Sequence, residues 1–238
     1  MIHLLAIVLA IVLSLAMPRP SVSAAAALAS MPEGGAAAIC GLPRSGKSRI
    51  AKAAADQLRR VVVFDPYGDR DRLESANGHE LYPWAGDLWS ISELALHPGA
   101  LLPDPLRLVV TPRDLDEHTL GEDFSSVAEL CWHAGNVDLF AEEASLYSRQ
   151  AQSAVLRLTS GGGHARVRVV LITQSIGMLS IMAARHLTHV VALNQSDASD
   201  FKILAARCGK AFTRKVQAWT PGDRPNIWRL GAEREKPC

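Results

Sequence analysis

The segment Gly41-Leu42-Pro43-Arg44-Ser45-Gly46-Lys47-Ser48 satisfies G-x-x-x-x-G-K-[ST] at every fixed position. Each fixed residue type has a chemical reason. Glycines let a tight turn aim backbone N–H groups at phosphate oxygens, a lysine carries charge to the β- and γ-phosphates, and a serine hydroxyl can ligate Mg²⁺. Gly41, Gly46, Lys47 and Ser48 take those roles, and Arg44, Ser45 and Ile50 complete the expected contacts to a bound nucleotide, ATP. Further along, Val137-Asp138-Leu139-Phe140-Ala141 runs into Glu142-Glu143-Ala144, an apolar approach to paired carboxylates. In phosphoryl chemistry Glu142 would hold the Mg²⁺ water shell and Glu143 would polarise the water that attacks the γ-phosphate. The plain alternative is two exposed acids at a helix start, where negative charge is stabilising anyway. Finally, Val167 to Thr173 is strongly strand-like and ends in Thr173-Gln174-Ser175. Gln174 is therefore either a γ-phosphate sensor at the carboxyl edge of a sheet, where ligands of open α/β folds bind, or a turn glutamine.

These residues need a scaffold, and the flanking sequence predicts one. Ala36 to Cys40 reads as a strand entering the loop, and Ile50, Ala53, Ala54 and Leu58 repeat at helical spacing after it. The loop thus opens a helix whose N-terminus favours anions. Val61-Val62-Val63-Phe64 reads as a buried parallel strand ending in the turn Asp65-Pro66-Tyr67-Gly68, and Leu106 to Thr111 and Thr188 to Leu193 add further strands. Asp138 is a departure, because a charge inside a central strand is costly. From Lys210 onward, Val216, Trp219, Ile227 and Trp228 around Pro221-Gly222-Asp223 read as a terminal hairpin, and Gly161-Gly162-Gly163-His164 as a flexible loop. The expected fold is α/β, a mainly parallel sheet of about five strands with helices on both faces and the Ala36 to Cys40 strand central.

The whole-chain numbers agree with one compact globular domain as the default. The chain has 238 residues, 48 % hydrophobic and 21 % charged, which excludes both a disordered chain and a multi-span membrane protein. Its net charge of +1 does not by itself point to a polyanionic partner, but its distribution is uneven. After Phe201, nine Lys or Arg face three acids, which points to a basic patch near the C-terminus. Trp219 and Trp228 lie amid Arg214, Lys215, Arg224 and Arg229, a composition that could stack on single-stranded DNA. Trp84, Trp89 and Trp132 read as core. Four scattered cysteines and eight histidines without ligand spacing give no zinc or disulfide framework and fit a reducing, cytoplasmic compartment. Residues 1–30 form a separate hydrophobic segment with three readings: an anchor at the cytoplasmic face of the inner membrane, a signal peptide, or an over-called start ahead of Met31. Residues 31–238 would be the ATPase domain.

Together the loop Gly41 to Ser48, the Val61 to Pro66 strand ending in Asp-Pro, the strand into Glu142-Glu143-Ala144, and Leu171-Ile172-Thr173-Gln174 resemble the HerA/FtsK group of P-loop ATPases. That group includes virus DNA-packaging ATPases and Zot-like phage assembly ATPases. The resemblance spans roughly Ala36 to Gly209. It implies a RecA-like core, assembly of a homo-oligomeric ring, ATP hydrolysis and movement of DNA. Lys47, Glu143 and Gln174 would then be catalytic, and Ser48 and Glu142 would serve the metal. Glu142 replaces the group's usual aspartate, the group's large extra domains are missing, and a neighbouring subunit would supply the arginine that meets the γ-phosphate. Arg149, Arg166 and Arg185 are the candidates for that role. Two other readings use the same core: a membrane-tethered export or morphogenesis factor acting on protein, and a nucleotide-binding module or small-molecule kinase without motor action.

Overall fold

A computed structural model describes residues 22–68, 84–220 and 223–230. The strands are β1 (Ala36–Cys40), β2 (Arg60–Phe64), β3 (Asp87–Ser90), β4 (Leu106–Thr111), β5 (Val137–Ala141), β6 (Val167–Thr173), β7 (His189–Ala192) and β8 (Asn226–Arg229). They form one eight-stranded sheet in the order β3-β4-β2-β5-β6-β1-β7-β8. Every pairing is parallel except the antiparallel β7–β8 edge. A parallel sheet is covered on both faces, so its strands are mainly apolar. That is why Ala36 to Cys40 and Val137 to Ala141 are buried at every position.

Alternate side chains feed two cores. On one face Ala37, Ile39, Val61 and Val63 pack against α1 (Val22–Ala29) and α2 (Lys47–Ala55). On the other, Ala36, Ala38, Val62 and Phe64 meet α3 (Ile91–Leu96), α4 (Glu117–Ala134), α5 (Gln152–Ala165), α6 (Ile181–His186), α7 (Ala198–Cys208) and α8 (Lys210–Gln217). The expected α/β layering holds, with β1 inside the sheet between β6 and β7. The sheet is wider than the five strands expected. β3, only four residues long and half exposed, carries little apolar signal, and the apolar residues of β8 are too few to separate an edge strand from a hairpin arm.

The C-terminal hairpin is corrected to a helix followed by an edge strand. Phe212 and Val216, both buried and four residues apart, put one face of α8 on the core, and Ile227 and Trp228 enter β8 alone. Pro221 and Gly222 lie outside the described residues. The glycine-rich segment is also corrected. Gly161, Gly162 and Gly163 belong to α5, and a Cβ on Gly162 would sit 2.5 Å from the carbonyl oxygen of Val167. Gly161, against the Trp132 ring, and Gly162 serve close helix packing rather than a flexible loop.

Asp138 is accounted for by its register partner. Across β5 and β6 it lies opposite Arg168, which grips it in a two-pronged ion pair, with Nη2 at 2.9 Å from Oδ2. Burial pushes the Asp138 pKa up and Arg168 pulls it back. Arg168 also donates Nη1 to the carbonyls of Ala29 and Met31, both at 3.0 Å, satisfying acceptors at the end of α1. With Ala24, Ala25, Ala27, Leu28 and Met31 all buried, α1 is part of the packed body, which therefore extends upstream of the expected residue-31 boundary. Residues 1–21 lie outside the described residues. Among the described residues no helix is long and apolar enough to cross a membrane.

Candidate active site

The phosphate-type loop is built where β1 hands over to α2. Gly41 and Leu42 are tied to the neighbouring strand ends by Gly41 N–H to Thr173 O at 3.3 Å and Leu42 N–H to Asn194 O at 2.9 Å. Gly46 takes φ 97° at the N-cap of α2, with open space around the position of its absent Cβ, so the backbone can turn its amides outward. Arg44 is exposed and left-handed at φ 60°. The Ser45 hydroxyl is buried in the loop without a hydrogen-bond partner in the described residues. Lys47 is buried, and its Nζ donates to Gly41 O at 2.7 Å and Leu42 O at 3.1 Å. Burial lowers its pKa, and the carboxylates of Glu143 and Glu142 oppose that shift. Ile50 holds the first turn through its N–H to Gly46 O at 3.1 Å, while its side chain belongs to the core.

The second part comes from the strand beside it. β2 and β5 pair Phe64 with Ala141, so the next residues, Asp65 and Glu142, leave the sheet side by side. Glu142 is buried, and burial followed by the Asp65 charge pushes its pKa up to about 7, while a hydrogen bond from Ser48 and the Lys52 charge pull it down. Trp84 donates Nε1–H to Glu142 Oε1 at 3.1 Å. Tyr147, packed edge-on against Phe64, donates its hydroxyl to the Glu142 carbonyl at 2.9 Å. Glu143 follows in the left-handed region at φ 46°, a conformation that costs energy for a non-glycine residue. Gln174 Nε2 then donates to Glu143 Oε2 at 3.3 Å.

Thus Lys47, Ser48, Glu142, Glu143 and Gln174 converge at the carboxyl edge of β1, β5 and β6. Gln174 is itself placed by the turn that follows it. Asp200, buried on α7, accepts from the Ser175 hydroxyl at 2.6 Å and from Gly177 N–H at 2.8 Å. Asp65 and Trp84 are site residues that sequence reasoning assigns only to a turn and to the core. The strand register carries a usable signal for Asp65, since an acid after an apolar run beside a second such strand must emerge next to its carboxylate.

The arginine candidates are dispersed. Arg149 is exposed in the segment after Glu143, and Arg185 is exposed in the last turn of α6. Arg166 caps α5 at the amino end of β6 and pairs with Glu33 at 3.5 Å, on the opposite sheet edge from the loop. Lys202, Lys210, Arg214, Lys215, Arg224 and Arg229 are all on the surface, whereas Trp228 is buried under the Arg207 guanidinium, 4.9 Å from its ring centre. That burial removes Trp228 from any base-stacking surface.

Comparison with solved proteins is decisive for the fold. The genome-packaging NTPase B204 of Sulfolobus turreted icosahedral virus 2, in complex with sulfate, superimposes with a TM-score of 0.61 at 15 % identity, over 84 % of this chain and 93 % of that one. The chain has the fold of a viral genome-packaging NTPase. B204 from Sulfolobus turreted icosahedral virus, a DNA-packaging ATPase, gives a TM-score of 0.58 at 15 % identity, over 84 % and 98 % of the two chains. The virus 2 protein in complex with ATP-gammaS gives 0.58 at 14 % identity, over 83 % and 93 %. No family model and no curated relative matches this chain. The resemblance carried by its motifs is thus matched by a packaging-ATPase fold over nearly the whole of the packed body.

The residues present fit both a nucleotide phosphate and Mg²⁺. The orphaned Ser45 hydroxyl and the open space at Gly46 form an anion cradle, and Ser48, Glu142 and Asp65 supply only oxygen donors, the set that a hard divalent cation takes. A carboxylate crowded by burial and a second acid has a stability consequence. The folded pKa of Glu142 is raised above its unfolded value, so its folded form prefers the proton, and stability is lost as pH rises through 4.5 to about 7. In the ligand-free protein, Glu142→Gln is expected to raise stability at pH 8 by about 3 kcal/mol and to change it little at pH 4. Thermal melts at the two pH values without Mg²⁺ measure this, and an equal or lower melting temperature at pH 8 would contradict it.

Proposed function

We propose that this chain is an ATP-hydrolysing motor that moves DNA, in virus or prophage genome packaging or phage assembly. The observation that carries the reading is the Gln174–Glu143 contact at the mouth of the phosphate loop, which joins a strand-terminal glutamine to the carboxylate placed to orient water. A small-molecule kinase also uses a carboxylate beside the γ-phosphate, so the pairing supports phosphoryl chemistry and stimulation of turnover by DNA separates the two readings. The DNA-packaging role of the proteins that share the fold supports the same direction.

In this reading the loop amides and Lys47 hold the β- and γ-phosphates, and Ser48 with Glu142 would hold Mg²⁺. When bound, the metal neutralises charge on the phosphates. Glu143 takes up the proton of the attacking water, and Gln174 sets the carboxylate's orientation and responds to the γ-phosphate. The chain acts as a homo-oligomeric ring in which a neighbouring subunit lends an arginine. DNA lies along the basic surface of α7 and α8, where Lys202, Lys210, Arg214 and Lys215 are exposed. The same α7 reaches the turn after Gln174 through Asp200, so DNA and γ-phosphate contacts bear on one element.

The test is ATP turnover with and without double-stranded DNA, together with DNA affinity at two salt concentrations. Stimulation by DNA is expected, with affinity falling by about 10³ between roughly 50 and 200 mM salt whatever the sequence. Replacing Arg214 and Lys215 together by Ala is expected to weaken DNA binding uniformly and reduce the stimulation while ATP binding persists. Unstimulated hydrolysis by a stable monomer, or wild-type DNA affinity in the double variant, overturns the motor reading.

A further inference from the structure

Trp84 occupies a position that packing alone does not explain. It is 5 % exposed and belongs to the core between α2 and the sheet, shortly before the edge strand β3. Yet its ring reaches three strands inward to β5, with its centroid 5.5 Å from that of Phe140. Phe140 and Glu142 are two residues apart and so face the same side at the end of β5. The indole therefore lies along that strand end, touching Phe140 with its ring and Glu142 with its Nε1–H at 3.1 Å. On the side of α2, Lys52 Nζ stands 5.4 Å from the ring centre. Lys52 is one helical turn beyond Ser48, so the ring is wedged between the helix that carries the serine and the strand that carries the carboxylate.

We propose that Trp84 is a positioning residue for the Glu142 carboxylate, fixing the orientation in which it serves Mg²⁺. The inference rests on reading Glu142 as the metal-side carboxylate. Its physical basis is the longer side chain at that position. Glutamate has one more rotatable bond than aspartate, so a carboxylate that must present one face to a metal's water shell needs an additional restraint. A charge-assisted indole hydrogen bond, in a site closed by Phe140 and α2, supplies that restraint. A core tryptophan with no such role would need only a polar partner for its N–H, and any carbonyl would suffice.

The experiment measures nucleotide binding, with no DNA and no turnover involved. ATPγS affinity is determined by calorimetry at a series of Mg²⁺ concentrations and again in EDTA, for wild type, Trp84→Phe, Glu142→Asp and the double variant. Phenylalanine keeps an aromatic ring at the position and removes the N–H donor, and the EDTA measurement reports the packing lost with the smaller ring. Trp84→Phe is expected to raise the Mg²⁺ concentration needed for tight binding about tenfold and to leave affinity in EDTA unchanged. In the Glu142→Asp background, whose carboxylate sits one methylene closer to the backbone and is expected to lose the indole bond, the same replacement is expected to have less than about a twofold effect. Wild-type Mg²⁺ dependence in Trp84→Phe overturns the proposal. So does an equal loss of affinity with and without Mg²⁺, which marks a structural role, or the same Mg²⁺ penalty in both backgrounds. Failure of the wild-type chain to bind ATPγS overturns the nucleotide-site reading and this proposal with it, an outcome distinct from the other three.

Discussion

Lys47→Ala is expected to remove nucleotide binding while leaving the protein folded. The lysine is buried and held in place by two loop carbonyls, so its ammonium waits at the mouth of the cradle rather than sampling solvent. Charge-assisted hydrogen bonds to phosphate oxygens are worth about 1.5–3 kcal/mol each, so losing two of them weakens binding by roughly 10² to 10⁴. No neighbour can stand in for it, since Arg44 is exposed at the outer rim of the loop. Burial lowers the Lys47 pKa, which means that the folded, ligand-free protein bears a cost for the cation, and removing it is not expected to lower the melting temperature. Calorimetry with MgATP and a parallel thermal melt check both halves. Micromolar affinity in the variant would remove the loop from the site, and a collapsed melting temperature would make it a structural element instead.

How much of this is legible in the sequence follows from which interactions are local. The loop is readable because glycine, lysine and serine act through positions fixed by a few consecutive dihedrals, and the structure puts Gly46 in the left-handed conformation that its type permits. The strands β1, β2, β5 and β6 are readable because burial on both faces demands strongly apolar runs. Asp138 has no explanation in one dimension, since its partner Arg168 lies on another strand and becomes opposite only through register. The glycines of α5 mislead for the same reason. The small size of Gly161 and Gly162 answers a close approach to the Trp132 ring and the Val167 carbonyl, and that approach exists only in the folded chain. α8 misleads differently, because Phe212 and Val216, four residues apart, fit a strand alternation and a helical face equally well, and it is Thr213, buried beside Phe212, that selects the helix. Reading Asp65 as a turn residue and Trp84 as core is correct as far as it goes. Their chemistry arises where β2 and the chain before β3 meet the end of β5.

Glu143→Gln is expected to keep MgATP bound and to slow hydrolysis by about 10² to 10⁴. The two side chains have the same shape, so the amide variant can retain the left-handed backbone at φ 46° and its neighbours' positions, and the loop that binds phosphate is untouched. What the amide cannot do is accept a proton from water. The replacement also changes the contact with Gln174, because an amide facing an amide still forms a hydrogen bond but no longer one to a charge. Gln174→Ala is therefore expected to be the milder change, lowering turnover about tenfold, since Glu143 stays able to act as a base and loses only the group that orients it. A coupled pair makes a sharper claim than either single change. If Gln174 works through Glu143, then removing it from the Glu143→Gln protein should cost almost nothing further, whereas two independent contributions would multiply. Single-turnover phosphate release for the two single variants and the double variant distinguishes these cases. Wild-type turnover in Glu143→Gln would reassign the base, and full multiplication in the double variant would separate Gln174 from the carboxylate it touches.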